Sequence, residues 1–361
     1  MIWTITPNPA LDITWHVPNW QPHRSHRITD IAENPGGKGL NVARVLDQLG
    51  YPVTVATFLG GGTGQRVASL LSERHPRIAC QWVPVTQATR RSVAIVDADA
   101  TLFNEAGATV PATAWEQLRD LVRTQVRYGD VVTICGSLPG DTPSGEVVAL
   151  LSAAREAGAV TILDTSGPAL VEAGPYADIL KPNEAELIQA TGATSLPDGV
   201  RSLHEAGASW VVLSRGTNGM ELYAPCGAWR AHPGQVFDGN PTGAGDAAVA
   251  GLASVIAHTW QTVCGADGQT TADNSAQCAF DQHYAARDNQ LMTPQVAGND
   301  RHQLLADASL AQRALREAVA MSAAAVLRPT AGEIDTDIYQ RLRQAVTAEL
   351  LPQDVAERVK G

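Results

Sequence analysis

The sequence predicts an α/β fold built on a mostly parallel sheet. From Ala112 onward, stretches with helical period alternate with short apolar runs of strand type. The intervening helices are long enough for right-handed crossovers between parallel strands. The chain has 361 residues, 44% of them apolar, enough for a sizeable core in one large domain with embellishments or in two modest domains.

In chain order, Ile2–Thr6 is an apolar run that ends at Pro7 and reads as a first buried strand. Strand-like pieces follow at Asp12–Val17 and His26–Ala32, then a loop, Pro35-Gly36-Gly37-Lys38-Gly39. Val42, Val45, Leu46 and Leu49 carry helical spacing, with Gly50 as a natural stop. Pro52–Phe58 reads as a strand and Thr63–Ser72 as a helix. Ser92–Val96 and Thr101–Asn104 form a hairpin pattern about Asp97-Ala98-Asp99-Ala100. Beyond these, helices are expected over Thr113–Val126, Ser144–Ala157 and Asn183–Thr191. Strands are expected at Val131–Cys135, Val160–Leu163, Ile179–Leu180 and Trp210–Ser214. A second hairpin, Met220–Ala224 with Ala228–Ala231, precedes strong helices at Thr242–Ala257 and Leu310–Leu327. Gln261–Gln303 breaks the rhythm with a polar stretch of mixed charge and reads as a surface insertion.

The net charge is −11, which disfavours nucleic acid and anionic membranes as partners. The N-terminus has neither the basic nor the apolar region of a signal peptide, and no apolar stretch is long enough to span a bilayer. The five scattered cysteines lack metal-ligand spacing, so a cytoplasmic location is expected. Among the 26 basic residues only Lys38, Lys181 and Lys360 are lysines. A lysine kept in so arginine-rich a chain marks a place where a compact point charge is needed.

Three segments could carry chemistry. Asn240-Pro241-Thr242-Gly243-Ala244-Gly245-Asp246 is a glycine-rich turn opening a helix. Amides at a helix start attract a phosphoryl group, and an Asp inside the turn can take a proton from an attacking hydroxyl. The plainer reading is a capping carboxylate, and the small residues Ala247, Ala250, Gly251 and Ser254 also suit close helix packing. Gly36-Gly37-Lys38-Gly39-Leu40-Asn41 offers amides plus one ammonium at another helix start, without Walker A spacing. In Lys181-Pro182-Asn183-Glu184-Ala185-Glu186, Asn183 and Glu186 could form a capping box, or hold Mg2+ water near a nucleotide. Asp12, Arg90, Arg91, Ser137 and the turn Ser214–Gly219 stand at strand ends or starts, where open sheets place ligands. The nine histidines share no spacing, and none is assigned a role.

Together these segments resemble the ribokinase-like (PfkB) carbohydrate kinase family, from Thr6-Pro7-Asn8-Pro9-Ala10-Leu11-Asp12 to Pro241–Asp246. The opening motif and Asp164-Thr165-Ser166-Gly167 look like its 1-phosphofructokinase and tagatose-6-phosphate kinase branch. The resemblance implies a single ribokinase-like domain over 1–361, a three-layer α/β/α sandwich with a small β-sheet lid from about 12–32 and 90–104. It implies an ATP-dependent kinase acting on fructose 1-phosphate, fructose 6-phosphate or tagatose 6-phosphate. Asp246 would be the base, with Gly243, Ala244 and Gly245 offering amides to the developing charge. Asp12, Gly37, Asn41 and Ser137 would bind sugar hydroxyls, and Lys38 and Arg90 the existing phosphate. Lys181, Asn183, Ser214, Gly216 and Gly219 would line the ATP site, with Glu186 organising Mg2+. A monovalent cation such as K+ is a further candidate cofactor, and a homodimer through the lid is implied. Arg91-Ser92 and Gly140-Asp141 depart from the branch's pattern. A kinase for an unphosphorylated sugar or nucleoside, and a non-catalytic sensor on the same scaffold, are the alternative readings.

Overall fold

The computed structural model describes residues 1–97, 100–140, 142–265 and 300–352, with Val355 and Val359. Two sheets organise it. Their strands are β1 Ile2–Thr6, β2 Ala10–His16, β3 Asp30–Gly36, β4 Val53–Leu59, β5 Ala79–Pro84, β6 Arg90–Val96 and β7 Ala100–Asn104. These are followed by β8 Val131–Cys135, β9 Val160–Asp164, β10 Ile179–Leu180, β11 Trp210–Ser214, β12 Met220–Ala224, β13 Gly227–Ala231 and β14 Ala348–Leu350. The ten-stranded sheet runs β14-β13-β12-β11-β10-β9-β8-β1-β4-β5. It is parallel from β5 to β11 and antiparallel beyond.

Alternate residues of the buried strands feed two separate cores. Ile2 packs with helices α1 (Lys38–Gln48), α2 (Gly61–Arg74) and the long helix at Ala244–Gly265. Trp3 and Ile5 pack on the other face with α3 (Ala112–Gln125), α4 (Ser144–Glu156) and α5 (Pro168–Ala173). That period-2 division makes a three-layer α/β/α sandwich. The small-residue stripe of Ala244–Gly265 does pack closely. A Cβ on Gly251 would stand 2.8 Å from Ala318 Cα, on the neighbouring helix Ala308–Val326.

The lid is a separate sheet, β3-β2-β6-β7, with β2 parallel to β6. Strand β3 starts four residues later than the expected His26–Ala32 and runs to Gly36, so Pro35 and Gly36 belong to strand rather than loop. An edge strand tolerates this, because the N–H that Pro35 lacks has no obligatory partner there. Ala98 and Asp99 of the expected hairpin turn lie outside the described residues, as do Asp141, Cys278 and Lys360.

Both edges of the expected insertion are helical. Gln261–Gly265 continues the long helix, and Asp300–Leu305 is helical again. Residues 266–299 lie outside the described residues. The flanks are anchored at the sheet end where β9, β10 and β11 begin. Trp210 Nε1 donates to Leu305 O at 2.7 Å, and Arg301 Nε stands 3.2 Å from Asp178 Oδ1. The long helix spans 22 residues, about 33 Å. Its far end therefore lies across the molecule from Asp246.

Candidate active site

The candidate residues converge at the opposite end, where the parallel strands finish. Gly136 and Ser137 follow β8, Asp164 closes β9, Lys181 follows β10 and Ser214 closes β11. The mouth of the long helix faces them. Gly243 precedes it with φ +87°, and a Cβ there would stand 2.8 Å from Ala331 Cα, so only glycine fits. The Ala244 N–H donates to Pro241 O at 3.2 Å, and the Ala247 N–H to Gly243 O at 2.9 Å. The amides of Gly245 and Asp246 fall between these and have no intrahelical acceptor. A Cβ on Gly245 would stand 3.4 Å from Lys181 Nζ, so its absence leaves room between amide and ammonium.

Asp246 is 5% exposed and accepts a 2.8 Å hydrogen bond from Asn41 Nδ2. Asn41 comes from α1, so the second glycine motif meets the first through this contact. Asn41 Oδ1 is buried with no hydrogen-bond partner. Burial, and next the charge of Asp164, push the Asp246 carboxyl up to about 7, against the pull of Asn41, Lys38 and Lys181. A carboxyl so placed is half ionised near neutrality, where it can both take and release a proton.

Asp164 is wholly buried and sits between two ammonium groups. Lys38 Nζ is 3.2 Å and Lys181 Nζ 3.6 Å from its Oδ1, while its Oδ2 has no hydrogen-bond partner. Lys38 Nζ also lies 3.7 Å from Glu186 Oε1. Burial works against the Lys38 charge, but Asp164, Glu186 and Asp246 together hold its pKa above the ordinary lysine value. The Asn183–Glu186 capping box is present, with bonds of 2.8 and 2.9 Å. It uses Oε2 of Glu186 and leaves Oε1 facing Lys38.

A second cluster forms under the lid. Asp12 packs so tightly on Gly36 that a Cβ there would fall 2.1–2.3 Å from its carboxylate atoms. Burial raises Asp12 to about 6, against the pull of Arg90 and Arg44. Gly37 (φ +109°) lies against Thr6 and Pro9. Arg90 donates to Asn8 O and Glu105 O, each at 3.3 Å, and Asn8 Nδ2 donates to Ser137 Oγ at 3.1 Å. Arg90 also lines a small cavity of about 30 Å³ with Asn8, Pro9, Gly107 and Pro139. Arg91 instead pairs with Glu105 at 2.7 Å on the exposed side, an ordinary surface ion pair. Lys38 is thus paired with Asp164 and Glu186, and Arg90 with the carbonyls of Asn8 and Glu105.

Ser214 bridges to Asn183 in the sheet, and its Oγ is buried without a hydrogen-bond partner. The turn beyond it is tight. Gly216 and Gly219 have φ of +56° and +79°, and the Arg215 N–H donates to Gly219 O at 2.9 Å. Arg215 ties the turn to Glu184 and Glu221, each at 2.6 Å. Among the described residues, no group of three His, Cys, Asp or Glu side chains could cage a metal ion.

The model of the pfkB family of carbohydrate kinases matches residues 10–285. The chain belongs to this family. This carbohydrate kinase also shares its fold, a ribokinase-like sandwich with a lid, with solved phosphofructokinases. Phosphofructokinase-2 from Escherichia coli in complex with potassium is 23% identical, with a TM-score of 0.73 over 95% of this chain and 98% of that one. The same enzyme in complex with fructose-6-phosphate aligns at 27% identity, with a TM-score of 0.65 over 78% of this chain and 98% of that one. A possible 1-phosphofructokinase from Thermotoga maritima is 21% identical, with a TM-score of 0.69 over 98% and 100%.

Asp164 is a residue of the candidate site that sequence reasoning missed. It stood in a segment noted only for its branch likeness. The available signal was an acidic residue ending an apolar strand, where open sheets collect ligands. Asn8, which ties Arg90 to Ser137, went unassigned in the same way.

Proposed function

We propose that this kinase transfers the γ-phosphoryl group of ATP to a hydroxyl of a hexose phosphate, of the fructose 1-phosphate, fructose 6-phosphate or tagatose 6-phosphate class. The observation that carries this reading is Asp246, buried at a helix mouth and held by Asn41. The acceptor hydroxyl gives its proton to the Asp246 carboxylate. Its oxygen bonds to the γ-phosphorus while the bond to the bridging oxygen breaks, and ADP leaves with that oxygen. The amides of Gly245 and Asp246 oppose the charge that gathers on the phosphoryl oxygens, with Gly243 and Ala244 shaping the turn. Asp12, Gly37, Asn41 and Ser137 orient the sugar. Lys181, Asn183, Ser214, Gly216 and Gly219 form the nucleotide side. Glu186, whose Oε1 faces Lys38, would hold a Mg2+ ion through water on the nucleotide side, where the ion would offset phosphate charge. A K+ ion is a further candidate here, on the strength of the potassium complex of the Escherichia coli enzyme.

Arg90 supports a phosphorylated acceptor. Two backbone carbonyls aim its guanidinium beside Asp12 at the sugar end. A coupled assay of ADP release over a panel of free and phosphorylated sugars tests the class directly. Arg90→Ala should raise KM for the phosphorylated acceptor by about 10- to 100-fold, the worth of one lost charge-assisted hydrogen bond. An unchanged KM would place the acceptor's phosphate elsewhere.

The lid also supports a homodimer. Ile31, Leu102 and Phe103 of its two edge strands are each more than half exposed. Light scattering on Phe103→Asp should show a shift from dimer to monomer. A native chain that is already monomeric discards the dimer.

A further inference from the structure

We propose that Lys38 serves the phosphoryl group in transfer, not the phosphate that the sugar already carries. The proposal rests on the kinase reading above and assigns a role within it. Lys38 is the first residue of α1, and Asn41, one turn on along the same helix face, grips Asp246. One turn of helix therefore delivers both the cation and the partner of the base to the same spot. The Lys38 ammonium is held by carboxylates. It lies on Asp164 and Glu186, and Lys181 approaches Asp164 from the other side, next to Gly245 at the helix mouth. The run Glu186, Lys38, Asp164, Lys181, Gly245 thus crosses the cleft where a phosphoryl group would pass.

Asp164 acts in this arrangement as a placeholder anion. It is fully buried and fixed, so it holds two cations in position before any phosphate arrives. Lys38 is 37% exposed and can be reached by a ligand, whereas Lys181 is 4% exposed. A compact ammonium on a flexible stem can turn from carboxylate to phosphoryl oxygen and follow it across. Arg90 is bound by two carbonyls and stays with the sugar.

The test compares Lys38→Met with Arg90→Met. It reads kcat, KM for the hexose phosphate, and the Kd of magnesium AMP-PNP by calorimetry without sugar. Lys38→Met should lower kcat by about 100-fold and weaken AMP-PNP about tenfold, with KM for the sugar phosphate changing less than about twofold. Arg90→Met should show the converse. Lys38→Arg, which keeps a charge on a similar stem, should recover part of the AMP-PNP affinity and so exclude a folding defect. A rise in sugar-phosphate KM for Lys38→Met with AMP-PNP binding intact overturns the assignment, as does a variant with native constants. Both of those outcomes leave the kinase reading in place. A native chain that neither binds AMP-PNP nor turns over any sugar phosphate removes the kinase reading and this assignment together.

Discussion

Asp246→Asn should lower turnover about 1,000-fold while leaving the fold intact, since a positioned general base contributes about 100- to 10,000-fold. The amide has the shape of the carboxylate and can still meet Asn41, but it cannot accept the acceptor's proton. In the native protein only the ionised carboxylate is a base, so kcat/KM should climb as pH rises toward about 7 and then level off. Asp246→Asn should lose that limb. Stability should move the other way. A carboxyl whose folded value lies above its unfolded one is disfavoured in the fold when charged. That penalty is absent below pH 3.8, grows as pH rises to about 7, and is constant above. At pH 8 the variant should therefore melt no earlier than the native chain. Near-native turnover in Asp246→Asn would remove the mechanism, whatever the melting curve shows.

The parallel half of the sheet was legible because buried strands must be continuously apolar. Val131–Cys135, Ile179–Leu180 and Trp210–Ser214 stand as expected, and β9 differs only by including Asp164. What escaped was structure stabilised from a distance. The edge strand Ala79–Pro84 has one core residue, Val83, and its parallel partner β4 lies a helix away in sequence. Strand Ala348–Leu350 is three residues long and pairs with β13. Helix Leu196–Glu205 was hidden by Pro197 and Gly199, although Ser195 caps it and proline is welcome in a first turn. The site divided in the same way. Glycine turns and Asp246 announce themselves locally, because backbone approach and helix amides are local physics. The choice of partner for Lys38 depends on Asp164, which is 126 residues away, and no local pattern encodes that contact.

Asp164→Asn should be the most damaging substitution outside the base, and its effects separate into three readouts. The native carboxylate neutralises Lys38 and Lys181 at 3.2 and 3.6 Å, and Lys181 is almost fully buried. Removing one partner of such a group leaves a buried charge unanswered, which costs roughly 3 kcal/mol. A thermal melt without ligand should therefore fall well below that of the native chain. Nucleotide phosphates bring replacement negative charge, so magnesium AMP-PNP should raise the melting point of the variant more than that of the native protein. The third readout is the acid limb of kcat/KM. Asp164 is the second cause of the high Asp246 value, after burial. Its neutralisation should move the limb to lower pH, yet not as far as the ordinary 3.8, because burial persists. A purely structural Asp164 would lower the melting point and leave the limb where it was. An electrostatic neighbour of the base must move both, and in these directions.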